Sequence, residues 1–160
     1  MLTQDRLKER LVYDPETGVF LWWTGPRPRG SRAGYIVGKK NKPYRAIEID
    51  GKRYLEHRLA FLYMTGEWPE NLVDHCDGNG LHNEWENLRP ANYSENARNR
   101  RSTSQWGKGV RPSYTPGKFT SAIRVDGRIR HLGTFTDPVA ANLAYARAAE
   151  EHFGEFARTS

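Results

Sequence analysis

Apolar positions in the first third of the chain come in short bursts separated by turn residues. Leu7 and Leu11 stand four apart within the polar stretch Thr3 to Leu11, the spacing of one helix face. Asp14-Pro15-Glu16-Thr17-Gly18 is turn chemistry, and Val19 to Trp23 is an apolar, aromatic strand. Gly25-Pro26-Arg27-Pro28-Arg29-Gly30 holds too much Gly and Pro for a helix and reads as an exposed loop. Tyr44 to Ile49, the turn Asp50-Gly51 and Lys52 to Glu56 predict a hairpin. His57 to Thr65 predicts a helix stopped by Gly66 and Pro69, with Leu59, Leu62 and Tyr63 on its buried side.

The middle of the chain changes rhythm. Leu72 to His75 is a strand, and Asp77-Gly78 or Asn79-Gly80 supplies a turn. Trp85 to Arg89 leads into a second short strand. Asn92 with Glu95 three residues later is a capping-box pattern, so a helix is expected from about Tyr93 to Arg101, with Asn96, Asn99 and Arg100 on one face. A strand–turn–strand–helix unit of this size has little core of its own and must pack on the preceding hairpin and helix.

Beyond Arg101 the composition shifts. Residues 102–108 are a polar linker. Gly109-Val110-Arg111, then Gly117 to Val125, the turn Asp126-Gly127 and Arg128 to Leu132 predict a three-stranded meander. Asp137-Pro138 starts a helix in which Ala140, Leu143, Ala144, Arg147 and Ala148 follow helical spacing. Alternation puts Thr120, Ala122 and Arg124 on one face of the middle strand and Phe119, Ser121, Ile123 and Val125 on the other, which must be the helix-packed one. The fold class is α+β and modular: an N-terminal helix, strands and basic loop over 1–56, a strand–turn–strand–helix core over 57–101, the linker, and a three-stranded antiparallel sheet packed on one helix over 109–160.

Composition narrows the class. Hydrophobic residues make up 37% and charged residues 28%, the balance of a folded soluble domain. No apolar run approaches the ~20 residues needed to cross a membrane, and the polar stretch Thr3 to Glu9 is unlike a signal peptide. The single cysteine, Cys76, excludes a disulfide framework within the chain and a multi-cysteine zinc site, so a cytoplasmic, reducing setting is expected. Cys76 itself reads as a small buried hydrophobe, and Trp22, Trp23, Trp68 and Trp85 as core residues.

The net charge of +6 favours a polyanionic partner, nucleic acid before membrane. Arg27, Arg29, Arg32, Lys39, Lys40, Lys42 and Arg45 follow one another without an intervening acid, whereas residues 57–92 hold two arginines against six carboxylates. An acidic patch within a basic chain suits a metal site flanked by phosphate-binding arms. Taken alone it is equally an ordinary acidic face beside a solvated loop.

Asp74-His75, then Asn87 twelve residues after the histidine, then Asn96 nine residues later, resembles the HNH endonuclease motif, and more narrowly its phage and intron-associated homing branch. Tyr13-Asp14-Pro15-Glu16-Thr17-Gly18, His57-Arg58-Leu59 and Gly66-Glu67-Trp68-Pro69 fit the same branch, so the resemblance covers roughly residues 10–101. It implies a His-Me finger core in which His75 is the general base, Asp74 and Asn96 are metal ligands and Asn87 braces the site. His82 departs from the branch, which often has an Asp there.

The residue chemistry agrees with that carry-over. A histidine with an ordinary pKa of ~6.5 is largely neutral at cellular pH and takes a proton from water. Carboxylate and amide oxygens suit Mg2+ or Mn2+. Strand neighbours point to opposite faces, so Asp74 and His75 can serve one site only if the strand bends or ends there. His57, which opens a helix, reads as a structural hydrogen-bonding residue rather than a catalytic one.

The last third resembles the plant Apetala/ethylene-response-factor DNA-binding domain over roughly residues 107–157. Gly109-Val110-Arg111, Lys118-Phe119, Ile123-Arg124, Leu132-Gly133-Thr134-Phe135 and Ala144-Tyr145 to Phe153-Gly154 carry the likeness. The resemblance implies a sheet that lies in the major groove, making Arg111, Lys118 and Arg124 candidate DNA contacts, Arg124 for a guanine edge. Two departures keep base specificity from being transferred: His131 stands where an aromatic contact is usual, and one residue is inserted after Arg111. Arg27, Arg29, Arg32, Lys39, Lys40, Arg98, Arg100 and His131 complete the candidate DNA-binding set.

The expected function is metal-dependent hydrolysis of phosphodiester bonds in double-stranded DNA, nicking or cutting both strands, without a membrane or an obligate protein partner. A DNA-binding regulator with an inactive nuclease core is the alternative. RNA cleavage is disfavoured, because a major-groove sheet reader suits B-form DNA rather than the narrow A-form groove.

Overall fold

Thr3 caps the first helix, α1 (Gln4–Arg10), its hydroxyl accepting from the Arg6 N–H at 3.3 Å. The computed structural model describes residues 1–99, 102 and 104–157. It divides into two compact units, Met1–Tyr93 and Ser94–Ser160.

In the first unit α1 leads into β1 (Leu11–Asp14), which pairs antiparallel with β2 (Val19–Trp22). The turn between them is tied by the Thr17 hydroxyl to Asp14 at 2.7 Å. A three-stranded antiparallel sheet follows in the order β3 (Tyr35–Lys39), β4 (Lys42–Ile49), β5 (Lys52–Leu55). The helix α2 (Glu56–Thr65) ends at Gly66, whose φ of 84° lets its N–H close back on Leu62. Two short antiparallel strands complete the unit, β6 (Leu72–His75) and β7 (Leu88–Ala91), with a 3-10 turn over Trp85–Asn87 before β7. Val73 and Leu88 enter the same core as Leu7, Leu11, Phe20, Ile47, Leu59 and Leu62. The β6–β7 pair is therefore supported by the preceding hairpin and helix.

The helix α3 (Tyr93–Arg98) begins where its sequence pattern predicts and gives way to a turn at Asn99, while the last two positions of the expected helix, Arg100 and Arg101, lie outside the described residues. The second unit carries β8 (Val110–Pro112), β9 (Phe119–Val125) and β10 (Arg128–Phe135), an antiparallel sheet with β9 in the middle, and α4 (Pro138–Phe153). Ser121, Ile123 and Val125 are buried, and Ile123 and Val125 form a core with Tyr145, Ala148 and Ala149 of α4. Gly109 is required by proximity: at φ 72°, a Cβ there would stand 2.1 Å from the Tyr145 ring.

Several sequence expectations are corrected. The β1 strand replaces the end of a helix and the start of a turn, and β3 arises from the basic segment. The buried stripe of α4 is Ala141, Tyr145, Ala148 and Ala149, while Leu143 is exposed, so the helix is rotated from the expected face. Trp23 is not core: it is exposed, with the Arg29 guanidinium 3.3 Å from its ring centroid. Cys76 is exposed rather than buried. Trp106, in the expected linker, packs on Phe119. No helix among the described residues is long and apolar enough to cross a membrane.

Candidate active site

The end of β6 supplies both residues of the Asp74-His75 pair. His75 is the last residue of the strand, and the chain then turns at Gly78, φ 69°, which hydrogen-bonds back to the His75 carbonyl at 2.8 Å. Both side chains are buried, each with its own partners. The Asp74 carboxylate accepts from the Arg89 guanidinium, and Arg89 faces it directly across the β6–β7 ladder. The His75 Nε2 lies 3.1 Å from the Asn83 side-chain oxygen.

The loop between the strands is built on Asn87. Its side-chain oxygen accepts from the Asp77 N–H at 3.1 Å, and its amide donates to Asp77 Oδ1 and to the His82 carbonyl at 3.1 and 2.8 Å. Its own carbonyl accepts from the Cys76 N–H. His82 Nδ1 sits 2.6 Å from Asp77. Burial would raise the Asp77 carboxyl, but the Asn79 N–H, the Asn87 amide and His82 together hold it below its ordinary value.

A second histidine flanks the first. The His57 ring meets His75 edge to face, centroids 5.0 Å apart and planes at 80°, and Tyr44 lies 5.6 Å from His57 and 6.1 Å from His75. Burial pushes His57 down to about 3, with His75 and Arg58 adding repulsion to its cation. Burial also lowers His75, although Asn83, Asp77 and Asp74 oppose it. In both rings burial favours the neutral imidazole. The hydrogen bond expected of His57 is not made by its buried Nδ1, for which no described residue is a partner. Its contribution is packing against His75.

Three residues behind His75 were not anticipated. The Asn83 amide donates to Glu56 at 3.3 Å, and Glu56 is held by Arg45 Nε at 3.0 and 3.2 Å. Arg45, which charge counting grouped with the basic arm, also donates to the Ala33 carbonyl. A signal was available: alternation along β4 sets Arg45 on the face of Ile47 and Ile49, both fully buried. Asn83 has only its place eight residues after His75 to mark it.

Among the described residues, no three His, Cys, Asp or Glu side chains gather closely enough to hold a metal ion by themselves. Asp74 is the buried carboxylate beside His75, while Asn96 belongs to the second unit. Arg27, Arg29, Arg32, Lys39 and Lys40 are all exposed in the first unit. In the second, strand register puts Arg111 opposite Thr120, His131 opposite Ala122 and Arg124 opposite Ile129. Facing residues of antiparallel strands share a face, so Arg111, Arg124 and His131 lie together on the side of the sheet away from α4. Lys118 is exposed, one residue before β9. Arg98 lies over the Phe153 ring at 4.4 Å, and Arg100 lies outside the described residues.

The pattern of a family described as HNH endonuclease matches residues 54–98, the span from β5 through α3. A protein of Acanthamoeba polyphaga mimivirus, named as an uncharacterised HNH endonuclease, is 33% identical over 132 residues, which cover 81% of this chain and 68% of that protein. A match of that length does not fit within the first 93 residues, so the likeness reaches into the second unit.

Proposed function

The chain belongs to the HNH endonuclease family, and from that premise we propose that it hydrolyses phosphodiester bonds of double-stranded DNA, with His75 as general base. The observation that carries this reading is the place of His75: a buried imidazole at the end of β6, next to the Asp74 carboxylate, held by Asn83 and flanked by His57 and Tyr44. A neutral imidazole accepts the proton of a water as that water's oxygen attacks phosphorus, and the 3′ or 5′ oxygen then leaves with the electron pair of the broken P–O bond. Burial favours this role because it keeps the ring unprotonated and ready below its ordinary titration range.

The donor set fits a hard divalent cation, Mg2+ or Mn2+. Asp74 would hold it through carboxylate oxygen, and the family resemblance adds Asn96 as a second ligand. Such an ion supplies neutralisation of the charge that develops on the phosphate and the leaving oxygen. Arg89 holds the Asp74 carboxylate in place, and Asn87 fixes the loop that follows His75.

Binding would be shared between the exposed basic residues of the first unit and the open face of the second unit's sheet. Arg27, Arg29, Arg32, Lys39 and Lys40 suit phosphates. Arg111, Arg124 and His131 suit a duplex groove, in the manner of the Apetala/ethylene-response-factor domain that this unit resembles. The homing-type branch is our reading from the motif spacing of Asp74-His75, Asn87 and Asn96 and the flanking His57-Arg58-Leu59.

Nicking of supercoiled plasmid tests the reading. Cleavage should require Mg2+ or Mn2+ and should vanish in His75→Ala while DNA binding stays near the wild-type level. Cleavage by His75→Ala at the wild-type rate would overturn the assignment of the base.

A further inference from the structure

We propose that Asn83, Glu56 and Arg45 form a positioning chain that fixes which nitrogen of His75 carries the proton, holding it on Nε2 and leaving Nδ1 as the basic nitrogen. The inference rests on His75 being the general base. Its starting observation is an unbroken line of polar contacts running inward from His75. His75 Nε2 to Asn83 Oδ1 is 3.1 Å, Asn83 Nδ2 to Glu56 Oε2 is 3.3 Å, Glu56 to Arg45 Nε is 3.0 and 3.2 Å, and Arg45 Nη2 to the Ala33 carbonyl is 3.1 Å. Glu56 and Asn83 are each 1% exposed.

The donor and acceptor inventory gives this line a direction. A guanidinium only donates and a carboxylate only accepts. Burial raises the Glu56 carboxyl above its ordinary value, and Arg45, donating to both of its oxygens, opposes that rise. Glu56 then takes the NH2 side of the Asn83 amide, which turns the Asn83 oxygen toward His75. An oxygen facing Nε2 requires a proton there. The chain thus transmits a fixed charge at Arg45 into a fixed tautomer at His75, as outer partners of catalytic imidazoles do.

The surrounding backbone is built to hold these groups still. Gly34, φ 80°, lets the chain close over the carboxylate, and a Cβ there would stand 2.3 Å from Glu56 Oε1. The Asn83 carbonyl accepts from the Tyr13 hydroxyl at 2.6 Å. A Cβ on Gly18 would meet the Asn83 backbone at 2.3 Å. Asn83 is therefore clamped through its main chain by the β1–β2 hairpin and through its side chain by α2. A buried ion pair adds little net stability over apolar residues of the same volume, so orientation of the amide is the more telling consequence of placing one here. These three are positioning residues that act through His75.

Nitrogen-15 spectra of the imidazoles in the full-length protein, without added metal, read the tautomer directly. His75 should show a protonated Nε2 and an unprotonated Nδ1, and a protonated Nδ1 in the wild type overturns the proposal even if no variant folds. Glu56→Gln can face Asn83 with either end of its own amide, and Asn83→Leu removes the acceptor. Both should give a mixture of His75 tautomers, and a kcat for plasmid nicking lower by about ten- to a hundredfold, with KM and DNA affinity little changed. Retention of the wild-type tautomer and kcat in these variants, while His75→Ala is inactive, overturns the positioning chain and leaves the general base standing. Full activity of His75→Ala removes the base itself, whatever the tautomer.

Discussion

Asp74 and Arg89 face each other across the β6–β7 ladder, and the guanidinium donates to the Asp74 Oδ2 from Nη2 at 3.1 Å and from Nε at 3.3 Å. Both side chains are largely removed from water. Truncating the cation leaves a carboxylate buried in low dielectric, the costly half of a broken ion pair. Arg89→Ala should therefore destabilise the first unit by about 3–5 kcal/mol, while Asp74→Asn with Arg89→Met should cost less than the two single changes added. Urea unfolding of the four proteins measures both quantities. A loss below about 1 kcal/mol for Arg89→Ala would class the pair with exposed salt bridges.

Stability should also depend on pH through His57. Burial holds its folded-state pKa down to about 3, whereas an unfolded chain binds the proton at ~6.5. The folded protein refuses a proton that the unfolded chain accepts. Stability from this residue is complete above about 6.5 and is lost progressively as pH falls from there toward 3. Urea midpoints at stepped pH should fall on the acid side in the wild type and fall less in His57→Phe, which keeps a ring against His75 and Tyr44. Parallel curves would mean that His57 becomes charged within the fold.

The exposed loop offers a test by salt. Neutralising Arg27, Arg29 and Arg32 should weaken binding to every DNA sequence alike, and each lost phosphate contact should reduce the slope of log K against log salt by ~0.9. Arg29 also caps the Trp23 ring, so Arg29→Lys keeps the charge and disturbs the stack. An unchanged slope in the triple variant would show that the loop stays solvated in the complex.

The second unit's sheet can be tested separately. Arg124 shares the open face with Arg111 and His131. If it reads a base edge, Arg124→Ala should cost about 1–3 kcal/mol on the preferred sequence and much less on random DNA. Competition binding with both DNAs decides. Equal weakening would make Arg124 a phosphate contact, and no change on either would withdraw DNA from this face.

Elements with strong local signals were legible in the sequence. The β6 strand occupies Leu72–His75 as expected, the β4–β5 hairpin turns at Asp50-Gly51, and the alternation along β9 sorts its faces correctly. Weak signals failed where depth matters. The strand β3 is mostly exposed and has no apolar alternation, so it was hidden in the basic run. Arg45 was hidden there too, because a charge count cannot tell a solvated guanidinium from one buried on Glu56. Trp23 and Cys76 were misplaced by assigning burial from residue type. Of the candidate site, Asp74, His75 and Asn87 stood out by spacing, whereas Asn83 and Glu56 are joined only in three dimensions.

The order in which these groups occur along the polypeptide has a bearing on how the protein is made. Tyr13, Gly18, Gly34, Arg45 and Glu56 all precede Asn83 in the chain, and each holds Asn83 or the carboxylate behind it. During synthesis, domains fold from the N-terminal side as residues emerge. The clamp is therefore translated before the loop that it grips, and β7, which closes the ladder on Asp74, comes out last in the first unit. The partners that hold Asn83 are thus all made before it, and the first unit is complete at Tyr93, before the sheet of the second unit has been translated.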